Sequence, residues 1–272
     1  MREIVNKNNM RISVIGAGAM GGSLVKGLLR GSIFNADDIT VADHSNQALK
    51  LFKDTGAHLT TDNRQAAMAS DIVTIVVKPW LVQAVLEDIK TVMDYNRQLV
   101  VVIAAGVTSS QINQWLSKGT GMLVPPLFLA IPNIAIATRD SMTFLVPVNA
   151  SQKQTQLIES IFDDMGETIV TDEKLLSSGT ALASSGLAYA MRYLRAAAEG
   201  GVELGFKADA AHRIVMQTMI GAVKLLQESG MHPEQAIDLV TTPGGVTIKG
   251  LNEMENAGFS SAVIRGLKAG MK

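Results

Sequence analysis

The segment Arg11-Ile12-Ser13-Val14-Ile15-Gly16-Ala17-Gly18-Ala19-Met20-Gly21 decides how the rest of the chain is read. Arg11–Ile15 is a short run with β-branched residues that ends in glycines, the pattern of a buried strand. The three glycines fall in the spacing G-x-G-x-x-G, and Met20–Arg30 then sets Leu24, Val25, Leu28 and Leu29 at helical intervals. In isolation the glycine pattern is weak; between a strand and a helix it marks a dinucleotide-binding turn. Gly16 permits the tight turn, Gly18 lets the backbone come close to a pyrophosphate, and Gly21 lets the helix pack on the strand. Ala17, Ala19 and Met20 complete the loop, and the helix start offers unpaired N–H groups to the phosphates. A glycine turn that serves packing alone is the plainer reading, and the strand–turn–helix context counts against it.

Outward from this segment, strand and helix signals alternate. Ile39–Ala42, Ile72–Val77 and Leu99–Ala104 read as strands; Ser45–Phe52, Leu81–Val92 and Ser109–Leu116 read as helices, with Ser45 as an N-cap. Leu127–Ile131 and Met142–Val146 are weaker strand signals. Such alternation predicts right-handed crossovers and a mostly parallel, doubly wound sheet. The pattern changes at residues 166–172. Beyond it only helical segments appear: one long helix over Glu173–Gly205, then Lys207–Ser229, His232–Val240, Gly245–Glu255 and Ser260–Lys268. We therefore expect a Rossmann-type α/β domain over residues 1–169 and an all-α domain over 170–272.

Composition narrows the function. The 272 residues are 47% hydrophobic and 18% charged, which permits a large core. With 24 basic and 25 acidic residues the net charge is −1, so neither nucleic acid nor an anionic membrane is expected as partner. Cysteine is absent, which excludes disulfides, thiolate catalysis and Cys-ligated metal. The leader Met1–Met10 is polar, no apolar run reaches the ~20 residues of a membrane span, and a cytoplasmic protein is expected. The four histidines, His44, His58, His212 and His232, read as surface residues, and no metal site is expected.

Several side chains carry the site reading. Asp43 ends the second strand near the ~20-residue offset expected of a ribose contact. A carboxylate there accepts from a 2′-hydroxyl and repels a 2′-phosphate, which tilts the choice towards NADH; a solvated loop Asp is the alternative. Val77-Lys78-Pro79 and Ile103-Ala104-Ala105-Gly106-Val107-Thr108 close two strands at the ends where open parallel sheets bind ligands. In the helical half, Thr241-Thr242-Pro243-Gly244-Gly245-Val246-Thr247 sets a tight turn before a helix. Its N–H groups and hydroxyls suit a small carboxylate.

Taken together, GAGAMG, VKP, IAAGVT, IPN, TALASSGLAYA and TTPGGVTIKGLNEME closely resemble the pyrroline-5-carboxylate reductase family from about Arg11 to Leu267, the Pro-Gly-Gly-x-Thr turn most specifically. The resemblance implies a Rossmann domain, a helical dimerisation domain, NAD(P)H as cofactor and reduction of a cyclic imine. A homodimer is implied, with rings of dimers also known in the family. On this basis Thr247 is the candidate for orienting the imine nitrogen and its proton. Thr242, Gly244, Gly245 and Val246 would hold the substrate carboxylate, and Glu173 matches a position near the substrate, with a capping or solvated Glu as its plainer reading. Lys78 and Asn63 match cofactor contacts, with a loop lysine and an N-cap as their plainer readings. A helix-capping or buried threonine is the plainer reading of Thr247.

The chain departs from the family pattern at Ser184 and Leu187, where Gly and Pro are usual, at Ile134-Ala135 in place of Thr-Pro, and at Val246. Two rivals follow. The β-hydroxyacid dehydrogenases share this domain order but need a lysine on the long helix, and none occurs between Lys174 and Lys207. A dinucleotide-binding paralogue without turnover is the other.

Overall fold

The computed structural model describes residues 10–119 and 123–271; the leader over residues 1–9, whose polar character entered the reading above, lies outside them. Among the described residues eight strands form one sheet. They are β1 (Ile12–Ile15), β2 (Ile39–Ala42), β3 (His58–Thr60), β4 (Ile72–Ile75), β5 (Leu99–Val102), β6 (Leu127–Ile131), β7 (Ser141–Val148) and β8 (Gly166–Val170). Their order is β3-β2-β1-β4-β5-β6-β7-β8, with β1 to β6 parallel. This is the doubly wound arrangement that the alternation predicts.

Burial explains the regularity. Every residue of β1, β2, β4 and β5 is buried, as expected for strands covered by helices on both faces. Leu24, Val25 and Leu28 of the first helix (Ala19–Arg30) pack with Phe128 and Phe162 on one face. Leu86, Ile89, Ile112 and Leu116 pack on Val73, Ile75, Val100 and Val102 on the other. The winding reverses between β1 and β4, which opens a crevice beyond their C-terminal ends.

Three features differ from the sequence reading. The strands β3 and β8 are short edge pieces with half-exposed or exposed side chains, so their apolar signal is faint. The strand β7 runs antiparallel to β6 because residues 132–140, which join them, are too few for a crossover of roughly a dozen or more residues. The single helix expected over Glu173–Gly205 is instead a 3-10 turn (Glu173–Leu175), one α-turn (Leu176–Gly179), a π-helical segment (Thr180–Ser185) and an α-helix (Gly186–Glu203).

Packing accounts for that interruption. Gly179 lies so close to the Phe144 ring that a Cβ would fall 2.7 Å from Cδ2. The Asn133 amide donates to the Ala183 carbonyl at 3.3 Å, within the widened turn. Asn133 is itself buried and held: its Oδ1 accepts from Ala135 N–H at 2.9 Å and its own N–H donates to Ser141 Oγ at 3.2 Å. Apart from the exposed Leu182, the residues at 180–185 are small and tolerate this wider helix, a device that recurs near functional sites.

The chain divides into two compact units, Met1–Ser184 and Ser185–Lys272. Residues 173–184 are helical yet pack on the sheet, so they belong to the first unit. The second contains helices Gly186–Glu203, Ala208–Ser229, Pro233–Leu239, Val246–Asn256 and Phe259–Ala269. Within it Tyr193 meets Phe259 edge to face at 6.3 Å, and the Tyr189 hydroxyl donates to the Gly266 carbonyl. Among its described residues only Ala198 and Ala211 are buried, so this unit has almost no core of its own.

Candidate active site

The glycine turn is built by close backbone approach. Gly16 has φ +105°, donates to the Ala42 carbonyl at 2.8 Å, and leaves no room for a side chain: a Cβ would fall 2.3 Å from the Val76 carbonyl oxygen. A Cβ on Gly21 would fall 1.8 Å from the Gly16 carbonyl oxygen. Gly18 is different. Its backbone is extended and exposed, and a Cβ there would meet nothing within 4 Å. The fold does not require glycine at 18, and the space in front of it is open. Gly18 caps helix Ala19–Arg30 without a side-chain bond, and the first turn holds no acid, so N–H groups there remain available to an anion.

Asp43 has a second task beyond the ribose contact expected of it. Its half-buried carboxylate accepts from Ala17 N–H at 2.7 Å and from Ser45 N–H at 2.8 Å. It therefore braces the glycine turn from the end of β2, and the exposed His44 imidazole lies 3.7 Å away. Ser45 does head helix Asn46–Leu49, but its side chain makes no capping bond.

The other residues expected at the cofactor follow the C-terminal ends of β3, β4 and β5. Val77, exposed Lys78 and Pro79 follow β4, and Pro79 opens a 3-10 turn (Pro79–Leu81). Ala104, Ala105 and Gly106 follow β5; Gly106 has φ +81° and open space around it. Asn63 follows β3 as the first residue of helix Asn63–Met68. It is not the cap: Asp62 accepts from Arg64 and Gln65 N–H at 2.8 and 3.2 Å, which removes the N-cap reading of Asn63. Glu173 lies at the head of the 3-10 turn after β8. Its carboxylate accepts both the backbone N–H of Ser109 at 2.9 Å and the Ser109 hydroxyl at 2.5 Å.

In the second unit the Pro243-Gly244-Gly245 turn closes through Gly245 N–H to the Thr242 carbonyl at 2.9 Å. Gly244 has φ +72°, which favours glycine, and a Cβ on Gly245 would fall 2.4 Å from Thr242 Oγ1. Gly245 is the N-cap of helix Val246–Asn256, with no side-chain cap and no acid in the first turn. Thr247 is the second residue of that helix and is exposed, as are Thr242 and Val246. It does not cap the helix, which removes that plainer reading of Thr247, and within the single chain it fills no core. Among the described residues no group of three or more metal-ligating side chains occurs.

Comparison with known proteins names the family. Residues 173–272 match the pyrroline-5-carboxylate reductase dimerisation model, and residues 11–106 match a model described as NADP oxidoreductase, coenzyme F420-dependent. Pyrroline-5-carboxylate reductase 2 of Dictyostelium discoideum is 35% identical over 96% of this chain and 91% of its own length. The chain belongs to the pyrroline-5-carboxylate reductase family. Reductase 1 of the same organism is 37% identical over 94% of this chain, which spans 48% of that longer relative. A solved pyrroline-5-carboxylate reductase from Coxiella burnetii superposes with a TM-score of 0.85 at 31% identity, covering 97% of both chains.

Two departures from the family pattern have a local consequence. A proline at 135 would lack the N–H that Ala135 donates to Asn133. Leu187 likewise keeps an amide N–H in helix Gly186–Glu203 that proline would remove. Nothing in the structure explains Ser184.

The two glycines of the turn separate fold from function. Gly18→Val should leave the melting temperature within about a degree of wild type and abolish dinucleotide binding, since its side chain enters open space. Gly21→Ala should lower the melting temperature by several degrees through the clash with Gly16. Thermal melts and fluorescence titration with the reduced dinucleotide check both, and unchanged affinity in folded Gly18→Val would place the cofactor elsewhere.

Proposed function

We propose that this chain reduces 1-pyrroline-5-carboxylate to L-proline with NAD(P)H, the last step of proline biosynthesis, in the cytoplasm. The observation that carries the reading is the exposed Pro-Gly-Gly turn opening a helix with Thr247, within the region matched by the family's dimerisation model. The glycine turn supports the cofactor: its open cradle at Gly18 and uncovered helix start fit a pyrophosphate. In the proposed division of labour, residues 1–169 bind the dinucleotide and 170–272 bind substrate and partner. No helix among the described residues is long and apolar enough to cross a membrane.

The chemistry asked of the side chains is modest. The bound reduced nicotinamide supplies a hydride to the imine carbon, and the imine nitrogen takes up a proton. The backbone N–H groups of Gly244, Val246 and Thr247, with the Thr242 hydroxyl, hold the substrate carboxylate by the partial positive charge of the helix start, while Gly245, whose N–H is bonded to the Thr242 carbonyl, shapes the turn. The Thr247 hydroxyl hydrogen-bonds the imine nitrogen and fixes where its proton arrives, directly or from a water that it orients. Gly16, Ala17, Gly18, Ala19, Met20 and Gly21 carry the pyrophosphate. Asp43 and Asn63 take the ribose side, and Val77, Lys78, Pro79, Ala104, Ala105 and Gly106 line the remaining edge.

The cofactor choice follows from Asp43. Its carboxylate is anchored by two N–H groups and has lone pairs left for a 2′-hydroxyl, whereas a 2′-phosphate would meet like charge. The Michaelis constant for NADH should lie below that for NADPH, and a tenfold advantage for NADPH would overturn this.

Self-association follows from the second unit. Leu204, Ile214, Met216, Ile220, Leu239 and Ile264 are exposed, and two buried alanines cannot stabilise five helices alone. A second copy covering these faces gives a homodimer, from which rings of dimers can be built. Sedimentation at micromolar concentration should show no monomer.

The decisive assay follows cofactor oxidation with and without pyrroline-5-carboxylate. Binding of dinucleotide without substrate-dependent oxidation would favour the non-catalytic paralogue, which the changes at Ile134, Ala135 and Leu187 motivate. In the active enzyme Thr247→Val removes the hydroxyl at nearly constant volume. It should lower kcat/KM roughly a hundredfold, or about 2–3 kcal/mol, with dinucleotide affinity unchanged. Val246→Ala, which removes no hydroxyl, should do far less. Full efficiency in Thr247→Val would assign proton placement to another group.

A further inference from the structure

We infer that Ser109 is a positioning residue for Glu173, and that the pair latches the loop after β5 to the segment entering the helical region. The inference rests on the proposed substrate-side role of Glu173. Glu173 Oε1 accepts from Ser109 N–H at 2.9 Å, and Oε2 accepts from the Ser109 hydroxyl at 2.5 Å. One residue therefore engages both carboxylate oxygens and fixes the rotation of the carboxylate plane. Both partners are half-buried. The sequence separation is 64 residues, so the contact is purely tertiary.

The placement gives the latch its consequence. Ser109 is the first residue of helix Ser109–Leu116, whose cap is Thr108, which accepts from Gln111 N–H and receives the Gln111 side chain in return. The helix end is thus already closed by a reciprocal capping box, and Glu173 is additional to it. Immediately before that cap lies Ala104-Ala105-Gly106-Val107, whose first three residues belong to the proposed cofactor edge, with Gly106 at positive φ and open space around it. Immediately after Glu173 come the 3-10 turn, Gly179 against Phe144, and the π-helical segment held by Asn133. A carboxylate on a helix N-terminal N–H gains from the helix dipole, and the serine hydroxyl adds a charge-assisted bond. Held at both oxygens, Glu173 presents its remaining lone pairs in one direction, and the loop cannot swing without breaking two bonds.

The test combines kinetics with amide exchange in the full-length protein. Ser109→Ala should lower kcat/KM for pyrroline-5-carboxylate about tenfold, the size expected for a lost hydrogen bond to a charged group. The loss should fall in kcat, with the dissociation constant of the reduced dinucleotide unchanged. Ser109→Thr keeps the hydroxyl and should restore efficiency to within about twofold. In a Glu173→Ala background, Ser109→Ala should add almost nothing, because Glu173→Ala already removes both bonds. Independent of turnover, hydrogen exchange across residues 104–109 should quicken in Ser109→Ala and Glu173→Ala alike. Additive kinetic losses, wild-type kcat in Glu173→Ala, or exchange unchanged in both variants would each overturn the latch. A wild-type protein without turnover would instead refute the proposed reaction, and the exchange measurement would still decide the latch.

Discussion

Backbone approaching backbone, with no side chain between, is the constraint on which the first unit depends. Gly16 is pressed against the Val76 carbonyl and Gly21 against the Gly16 carbonyl, at distances that admit no Cβ. These two contacts bring helix Ala19–Arg30 down onto the sheet at the place where its winding reverses. A doubly wound sheet must open a crevice there, because the crossovers on either side leave in opposite directions. The helix start then faces that crevice with no acidic residue and no side-chain cap to occupy its N–H groups. The anion affinity proposed for this turn would thus be a by-product of how closely it packs.

Asp43 ties this turn to the chemistry. By accepting from Ala17 N–H it braces the loop, and by ending β2 it reaches the side expected of the ribose. In the proposed reading one carboxylate serves shape and selectivity together. Substitution there affects both, and the ratio of affinities for the two dinucleotides separates them where either affinity alone would not.

The second unit follows a different logic. Its helices have apolar faces but bury almost nothing within one chain, so its stability and its assembly are one problem. The Pro-Gly-Gly turn needs no such support: Gly244 at positive φ and the close fit of Gly245 to Thr242 define it locally. Substrate recognition proposed for this turn therefore rests on a short segment whose form is nearly independent of its surroundings.

How much was legible in the sequence follows from the range of the interactions concerned. Short-range demands were visible: the glycine turn between strand and helix, the buried β-branched runs that became β1, β2, β4 and β5, the helix Ser109–Leu116, and the turn before Val246. Each is enforced by residues within a few positions of one another, so spacing alone reports them. The family followed from the same motifs. The direction of β7, the edge strands β3 and β8, and the break of the long helix into a π-helical segment depend on partners far along the chain, Phe144 against Gly179 and Asn133 against Ala183. The plainer reading of Asn63 failed because capping depends on which residue turns its oxygen back, and Asp62 does so. The Ser109–Glu173 contact had no local signal at all, since either residue alone looks like an ordinary helix-start side chain. By itself the sequence determined the fold class, the glycine cradle and the Pro-Gly-Gly turn, because local sterics demand them; only the tertiary structure decided which distant side chains brace them, because those bonds exist only once the chain has closed on itself.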